Sequence, residues 1–98
     1  RRLQTLREGE IAVADDYAHH PTEIRVTLQA LRERHPDRRL VVVFQPHLYS
    51  RTAEHLEEFA AALSLADFVV LTDIYPAREA PIPGISSARI AAGLTVPH

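Results

Sequence analysis

Leu40-Val41-Val42-Val43-Phe44 is the stretch that most restricts the fold of this chain. Its five residues are all apolar and do not alternate with polar ones, so a strand built from them has no face to give to water. Such a strand needs cover on both sides, which is the setting of a central strand in a parallel sheet. Phe68-Val69-Val70-Leu71 repeats the pattern. Parallel neighbours cannot be joined by a tight turn and need a crossover, usually a helix.

The segments between these runs read as those crossovers. From Thr22 to about His35 the apolar residues Ile24, Leu28 and Leu31 recur at helical steps, with Arg25, Gln29, Arg32 and Glu33 elsewhere. Pro21 suits a first helical turn, Thr22 or His20 can cap it, and Glu23 complements the positive end of the helix dipole. His35-Pro36-Asp37 closes the segment. A second helix, about Thr52 to Leu65, places Leu56, Phe59, Ala60 and Leu63 on one face and Glu54, Glu57 and Glu58 on the other. Ser86 or Ser87 caps a last short helix, Ala88 to Ala92, stopped by Gly93. Ahead of all this, Leu3 to Leu6 and Glu10 to Ala14 are expected to pair around Arg7-Glu8-Gly9.

The order is β-α-β-α-β-α, with right-handed crossovers. It fits one α/β domain, and 98 residues leave no room for a second. A hydrophobic fraction of 46% with 24% charged residues is that of a globular domain, and a net charge of -2 predicts no nucleic-acid partner. All eleven basic residues are Arg, a usage from which nothing functional follows. Without cysteine there is neither a disulfide framework nor a thiolate metal site. No apolar run approaches the ~18 residues that cross a bilayer, and the N-terminus lacks the apolar core of a secretory signal. A cytoplasmic protein without a membrane partner is the expectation.

Three strand ends should emerge on one edge of the sheet, and each leads into polar residues. After Ile11 to Ala14 comes Asp15-Asp16-Tyr17-Ala18-His19-His20-Pro21-Thr22-Glu23; after Phe44 comes Gln45-Pro46-His47-Leu48-Tyr49-Ser50-Arg51-Thr52; after Leu71 comes a loop, Thr72 to Gly84, rich in proline. Open α/β sheets bind ligands at such edges. Asp15 and Asp16 suit either a ribose or a helix cap. Adjacent residues on a helical turn point about 100° apart, so His19 and His20 do not share a metal readily, and no metal site is assigned. His47 and Arg51 at a helix start would suit a carboxylate or phosphate, although Arg51 could instead pair with Glu54 or Glu58. Neither a GxGxxG nor a GxxxxGK[ST] loop is present, and Ser50 lacks the turn of a nucleophile elbow.

The segments DDYAHHPTEI (Asp15 to Ile24), VVVFQPHLYSRT (Val41 to Thr52) and LTDIYPAREAPIPGIS (Leu71 to Ser86) together resemble the C-terminal domain of the Mur ligases of bacterial peptidoglycan synthesis, in particular the members that add L-alanine. The resemblance covers essentially the whole of residues 1–98. It implies a Rossmann-like three-layer domain with a mostly parallel sheet, incomplete at its C-terminal end, within a larger enzyme whose other domains hold UDP-N-acetylmuramate and, with Mg2+, ATP. The implied reaction joins L-alanine to UDP-N-acetylmuramate through an acyl phosphate.

By the same resemblance Arg51 and His19 stand as catalytic residues, with Arg51 a fixed cation near the alanine carboxylate and the tetrahedral oxyanion. Asp16 reaches the nucleotide ribose, Tyr17 and His47 line the cleft, and His20 is left to capping or packing. Leu48 departs from the pattern, since many members carry Arg there. Two alternatives remain at this level: a ligase of the same family that recycles murein peptides, and a non-catalytic ligand-binding α/β module. Lacking a phosphate loop of its own, the 98-residue polypeptide is expected to show only background phosphate release in an ATPase assay.

Overall fold

A computed structural model of the chain describes residues 2–4, 10–14 and 20–98. The Gly9 turn and Asp15, Asp16, Tyr17 and His19 lie outside the described residues. Four strands form one sheet in sequence order: β1 (Arg2–Gln4), β2 (Glu10–Ala14), β3 (Arg39–Phe44) and β4 (Phe68–Leu71). β1 runs antiparallel to β2, pairing Leu3 with Val13. β2, β3 and β4 are mutually parallel, with Val13 opposite Val42 and Val42 opposite Val69. The expected α/β class and mostly parallel sheet are both present, and β3 is the central strand that its valine run called for.

Helix α1 (Pro21–Arg34) connects β2 to β3. His20 caps it: its backbone is extended and its Nδ1 accepts the Thr22 N–H at 3.1 Å, while Pro21 opens the first turn and Glu23 stands within it. Between β3 and β4 the single helix expected over Thr52 to Leu65 is in fact two, α2 (Tyr49–Glu54) and α3 (Leu56–Leu63). His55 breaks them with φ -124° and ψ 28°, yet its N–H still bonds the Arg51 carbonyl and its own carbonyl accepts from Phe59. The element is thus bent at His55 rather than cut. The last helix, α4, covers Ser87–Ala91. Gly93 follows it because of a close approach: a Cβ at Gly93 would lie 2.9 Å from the Ala60 Cβ of α3.

One apolar cluster unites the helices with alternate residues of the strands. Ile11, Val13, Leu40, Val42, Phe44 and Val69 meet Ile24 and Leu28 of α1, Phe59, Ala60 and Leu63 of α3, and Ile90 of α4. The opposite-parity residues Val41, Val43, Phe68 and Val70 are outside it, and Val70 is 40% exposed. Among the described residues, the helices that join this cluster, α1, α3 and α4, thus pack on one face of the sheet. The reason is topological: when parallel strands are added one after another in the same direction by right-handed crossovers, every connecting helix falls on the same face. For the same reason β4 is not the fully buried strand its composition suggested, because it stands at the border of the sheet. On the outer face the Arg39 guanidinium lies 5.5 Å from the centre of the Phe68 ring, so an aliphatic stem and a cation shield that aromatic from water.

The sheet edge at which β3 and β4 begin is tied by a polar clamp. Asp67 Oδ2 accepts the Leu40 N–H at 2.8 Å and meets Arg32 at 3.0 Å, and Arg32 also donates to the carbonyls of Leu65, at 3.1 Å, and Arg38. Burial raises the Asp67 pKa, but the Leu40 N–H and the Arg32 and Arg39 guanidinium groups outweigh it and hold the carboxyl below its ordinary value of 3.8. A carboxyl lowered in the folded state stabilises above its unfolded pKa and loses that contribution as the pH falls through the folded one. Asp67 is 39% exposed, so solvent screens the pair and its worth is at most about 1 kcal/mol. Asp67→Asn should lower stability by up to about that amount at neutral pH, with the gap to the parent closing below pH 3.8, as denaturant unfolding across pH would read.

Candidate functional site

The parallel register does not stop where β3 and β4 end. Tyr75 N–H donates to the Pro46 carbonyl and Leu48 N–H donates to the Tyr75 carbonyl, both at 2.8 Å. His47 and Tyr75 form a parallel bridge, with their rings 5.1 Å apart and tilted by 42°. The loops after the two strands are thereby joined into one wall, to which the Pro-rich segment contributes Tyr75. Ile74 is buried beneath it and Tyr75 is 49% exposed above.

Leu48 turns the chain from this wall into α2. Its φ of 66° is left-handed, costly for a leucine, and its carbonyl accepts both the Thr52 N–H at 3.1 Å and the Thr52 Oγ1 hydroxyl at 2.8 Å. Thr52 is fully buried. These bonds fix where α2 starts and hence where Arg51, half-buried on its first turn, stands. Leu48 itself offers no side-chain cap.

The cap comes from elsewhere. Glu79 reaches across 29 positions so that Oε1 accepts the Ser50 N–H at 3.1 Å and Oε2 accepts the Ser50 hydroxyl. The Ser50 hydroxyl bond holds the Glu79 carboxyl below the ordinary range, helped by the Ser50 and Tyr49 N–H groups and the nearby positive charge of Arg51, against a smaller opposing effect of burial. Glu79 is delivered by a tight turn, Pro76 to Glu79, closed by Glu79 N–H to the Pro76 carbonyl at 2.8 Å. Both central residues are left-handed, Ala77 at φ 45° and Arg78 at φ 76°. Nearby, the Ser87 hydroxyl donates to the Thr72 carbonyl, tying α4 to the end of β4.

Of the residues singled out in the sequence, His47 and Arg51 lie on this wall; Asp16, Tyr17 and His19 lie outside the described residues. The alternative partners of Arg51 are engaged by His55 instead: Glu58 Oε2 is 3.1 Å from its Nδ1 and Glu54 Oε1 is 3.9 Å from its Nε2. His55 also meets the His20 ring edge-on at 4.9 Å, so the start of α1 touches the bend between α2 and α3. Tyr75, Glu79 and His55 were not singled out by sequence reasoning. Glu79 carried one weak signal, an acid among prolines, but its partner is 29 residues away and no local pattern reveals it. Among the described residues no three His, Asp or Glu side chains gather as a metal site, so none of them is assigned to Mg2+.

The family described as Mur ligase, glutamate ligase domain, matches residues 1–98. The chain belongs to the Mur ligase family. It is 59% identical over 92 residues to a UDP-N-acetylmuramate--L-alanine ligase of Salinibacter ruber, covering 93% of this chain and 19% of that protein. It is 57% identical over 88 residues to the ligase of the same name from Bdellovibrio bacteriovorus, covering 90% and 19%. A third, from Desulfatibacillum aliphaticivorans, is 53% identical over 95 residues, covering 96% and 21%. The chain thus spans about a fifth of the length of these curated relatives.

The left-handed turn is a defined reservoir of strain in this Mur ligase chain. Arg78→Gly removes the Cβ penalty at φ 76° and should raise stability by about 1 kcal/mol, less the extra freedom that glycine gives the unfolded chain. Denaturant unfolding measures it, and a loss of stability would show that Arg78 contributes more through its side chain than its backbone costs.

Proposed function

We propose that residues 1–98 are a C-terminal, Rossmann-like domain of an ATP-dependent ligase that joins L-alanine to UDP-N-acetylmuramate. The observation that carries this reading is the 53–59% identity, over nine-tenths or more of this chain, to proteins of that name. ATP and Mg2+ belong mainly to parts of the protein outside this chain, and the reaction belongs to the bacterial cytoplasm.

In the proposed reaction a carboxylate oxygen of the muramate attacks the γ-phosphorus of ATP, giving an acyl phosphate and ADP. The neutral amine of L-alanine then attacks the acyl carbon through a tetrahedral oxyanion. Phosphate leaves with the electron pair of the broken C–O bond, and the amine loses its proton as the amide forms. A carboxylate is a poor electrophile and phosphorylation supplies its leaving group, so what remains for the protein is positioning and charge neutralisation. Arg51, half-buried on the first turn of α2, is assigned to the alanine carboxylate and the oxyanion. His19 is assigned beside it at the acyl phosphate, His47 and Tyr17 to the cleft wall, and Asp16 to the nucleotide ribose.

The test uses the complete protein that contains this chain, supplied with ATP, Mg2+, UDP-N-acetylmuramate and L-alanine. Phosphate release is expected to require all of them, and Arg51→Ala should lower kcat/KM for L-alanine on the order of 100-fold while leaving the KM for ATP within about twofold. Efficient use of a tripeptide in place of L-alanine would reassign the protein to peptide recycling. No turnover with either would leave a binding module.

A further inference from the structure

Arg51 can act on a substrate only if the first turn of α2 is held still, and α2 is poorly equipped to hold itself. It is six residues long, its preceding residue is a leucine with a left-handed backbone, and it has no side-chain cap of its own. Beside the Thr52 bonds to the Leu48 carbonyl, the cap is supplied by Glu79, whose carboxylate takes the Ser50 N–H and hydroxyl. Glu79 is held in turn at the end of the left-handed turn Ala77-Arg78, and that turn follows directly on Tyr75, which is bonded to Pro46 and Leu48. The path from Leu48 through Tyr75 and Glu79 back to Ser50 is closed. Arg51 is the next residue along α2.

From this closed circuit we propose that Glu79 is a positioning residue for the amino-acid end of the reaction: it touches no substrate and sets the placement of Arg51 by locking the first turn of α2. The inference rests on the reading of Arg51 given above. The same carboxylate already occupies the Ser50 N–H, which an incoming anion would otherwise take.

The experiment compares Glu79→Ala, Glu79→Gln, Ser50→Ala and Arg51→Ala in the complete ligase, recording the KM for each of the three substrates, kcat, and the thermal midpoint. Glu79→Ala should raise the KM for L-alanine about tenfold and leave the KM values for ATP and UDP-N-acetylmuramate within about twofold. Glu79→Gln keeps an acceptor for the Ser50 N–H and a group that can pair with its hydroxyl, so most of the loss should be recovered. The double variant Glu79→Ala/Ser50→Ala should be no worse than Glu79→Ala alone, because both remove the same lock. An unchanged L-alanine KM in Glu79→Ala, with Arg51→Ala still impaired, overturns the proposal and leaves the function intact. Equal changes in all three KM values together with a lowered midpoint overturn it too, in favour of a general structural role. If Arg51→Ala is itself unimpaired with L-alanine, the fault lies with the assigned role of Arg51, and the proposal falls with it.

Discussion

Two backbone hydrogen bonds, Tyr75 N–H to the Pro46 carbonyl and Leu48 N–H to the Tyr75 carbonyl, both at 2.8 Å, hold together everything at the candidate edge. Each is worth only about 1 kcal/mol net. Their importance is geometric: they carry the β3–β4 register past the strand ends, so that two loops separated by a whole helical crossover move as one. The left-handed Leu48, the buried Thr52 hydroxyl on its carbonyl and the start of α2 all follow from where that register places residue 48. The pairing joins the bonds that hold the strained positions locally, Thr52 on the Leu48 carbonyl and Glu79 N–H on the Pro76 carbonyl, into one connected structure.

The two ends of the sheet are built on different principles. At the end where β3 and β4 begin, the Arg32–Asp67 clamp binds side chains to backbone carbonyls and N–H groups of turns, and nothing there is left-handed among the described residues. At the other end, the loops carry all three of the left-handed non-glycine residues found among the described ones, with an acid and a hydroxyl locked together across them. Relaxed geometry at one edge and stored strain at the other is the distribution expected when ligand chemistry is confined to the carboxyl ends of the strands. The one-sided packing of the helices adds to this asymmetry. It concentrates the core under α1, α3 and α4 and leaves Val70 on a face that no described helix covers.

Local pattern was enough for the elements that depend on it. The valine run of β3, the apolar spacing of α1 and the Phe68–Leu71 strand each carry their signal within a few residues, and their boundaries agree with the structure to about one residue. Where the outcome depends on partners far along the chain, the sequence was silent. The break at His55 arises because a histidine already engaged by Glu58 and against His20 sits at the bend, and the helical spacing of Leu56, Phe59 and Leu63 is the same with or without it. Which face of the sheet these helices cover follows from strand order, which periodicity does not report. At the candidate edge, His47 and Arg51 could be placed from sequence because they follow directly on the β3 run; Glu79 and Tyr75 could not, since their contacts exist only through pairing with residues 29 and 27 positions earlier.

That non-local cap also decides which group supplies positive charge at this edge. A helix start is ordinarily attractive to anions because its first N–H groups are unsatisfied. In α2 the Ser50 N–H is already given to the Glu79 carboxylate, which lessens that attraction and adds a negative charge in its place. On the proposed reading, a substrate carboxylate would be drawn here by a side-chain cation, and Arg51, which is not paired with Glu54 or Glu58, is the residue proposed for it. A guanidinium that holds one carboxylate through space can still offer its fork of donors to a second. Under that proposal, binding of the amino acid would depend on how firmly α2 is held rather than on the dipole of so short a helix, and so on the turn that delivers Glu79.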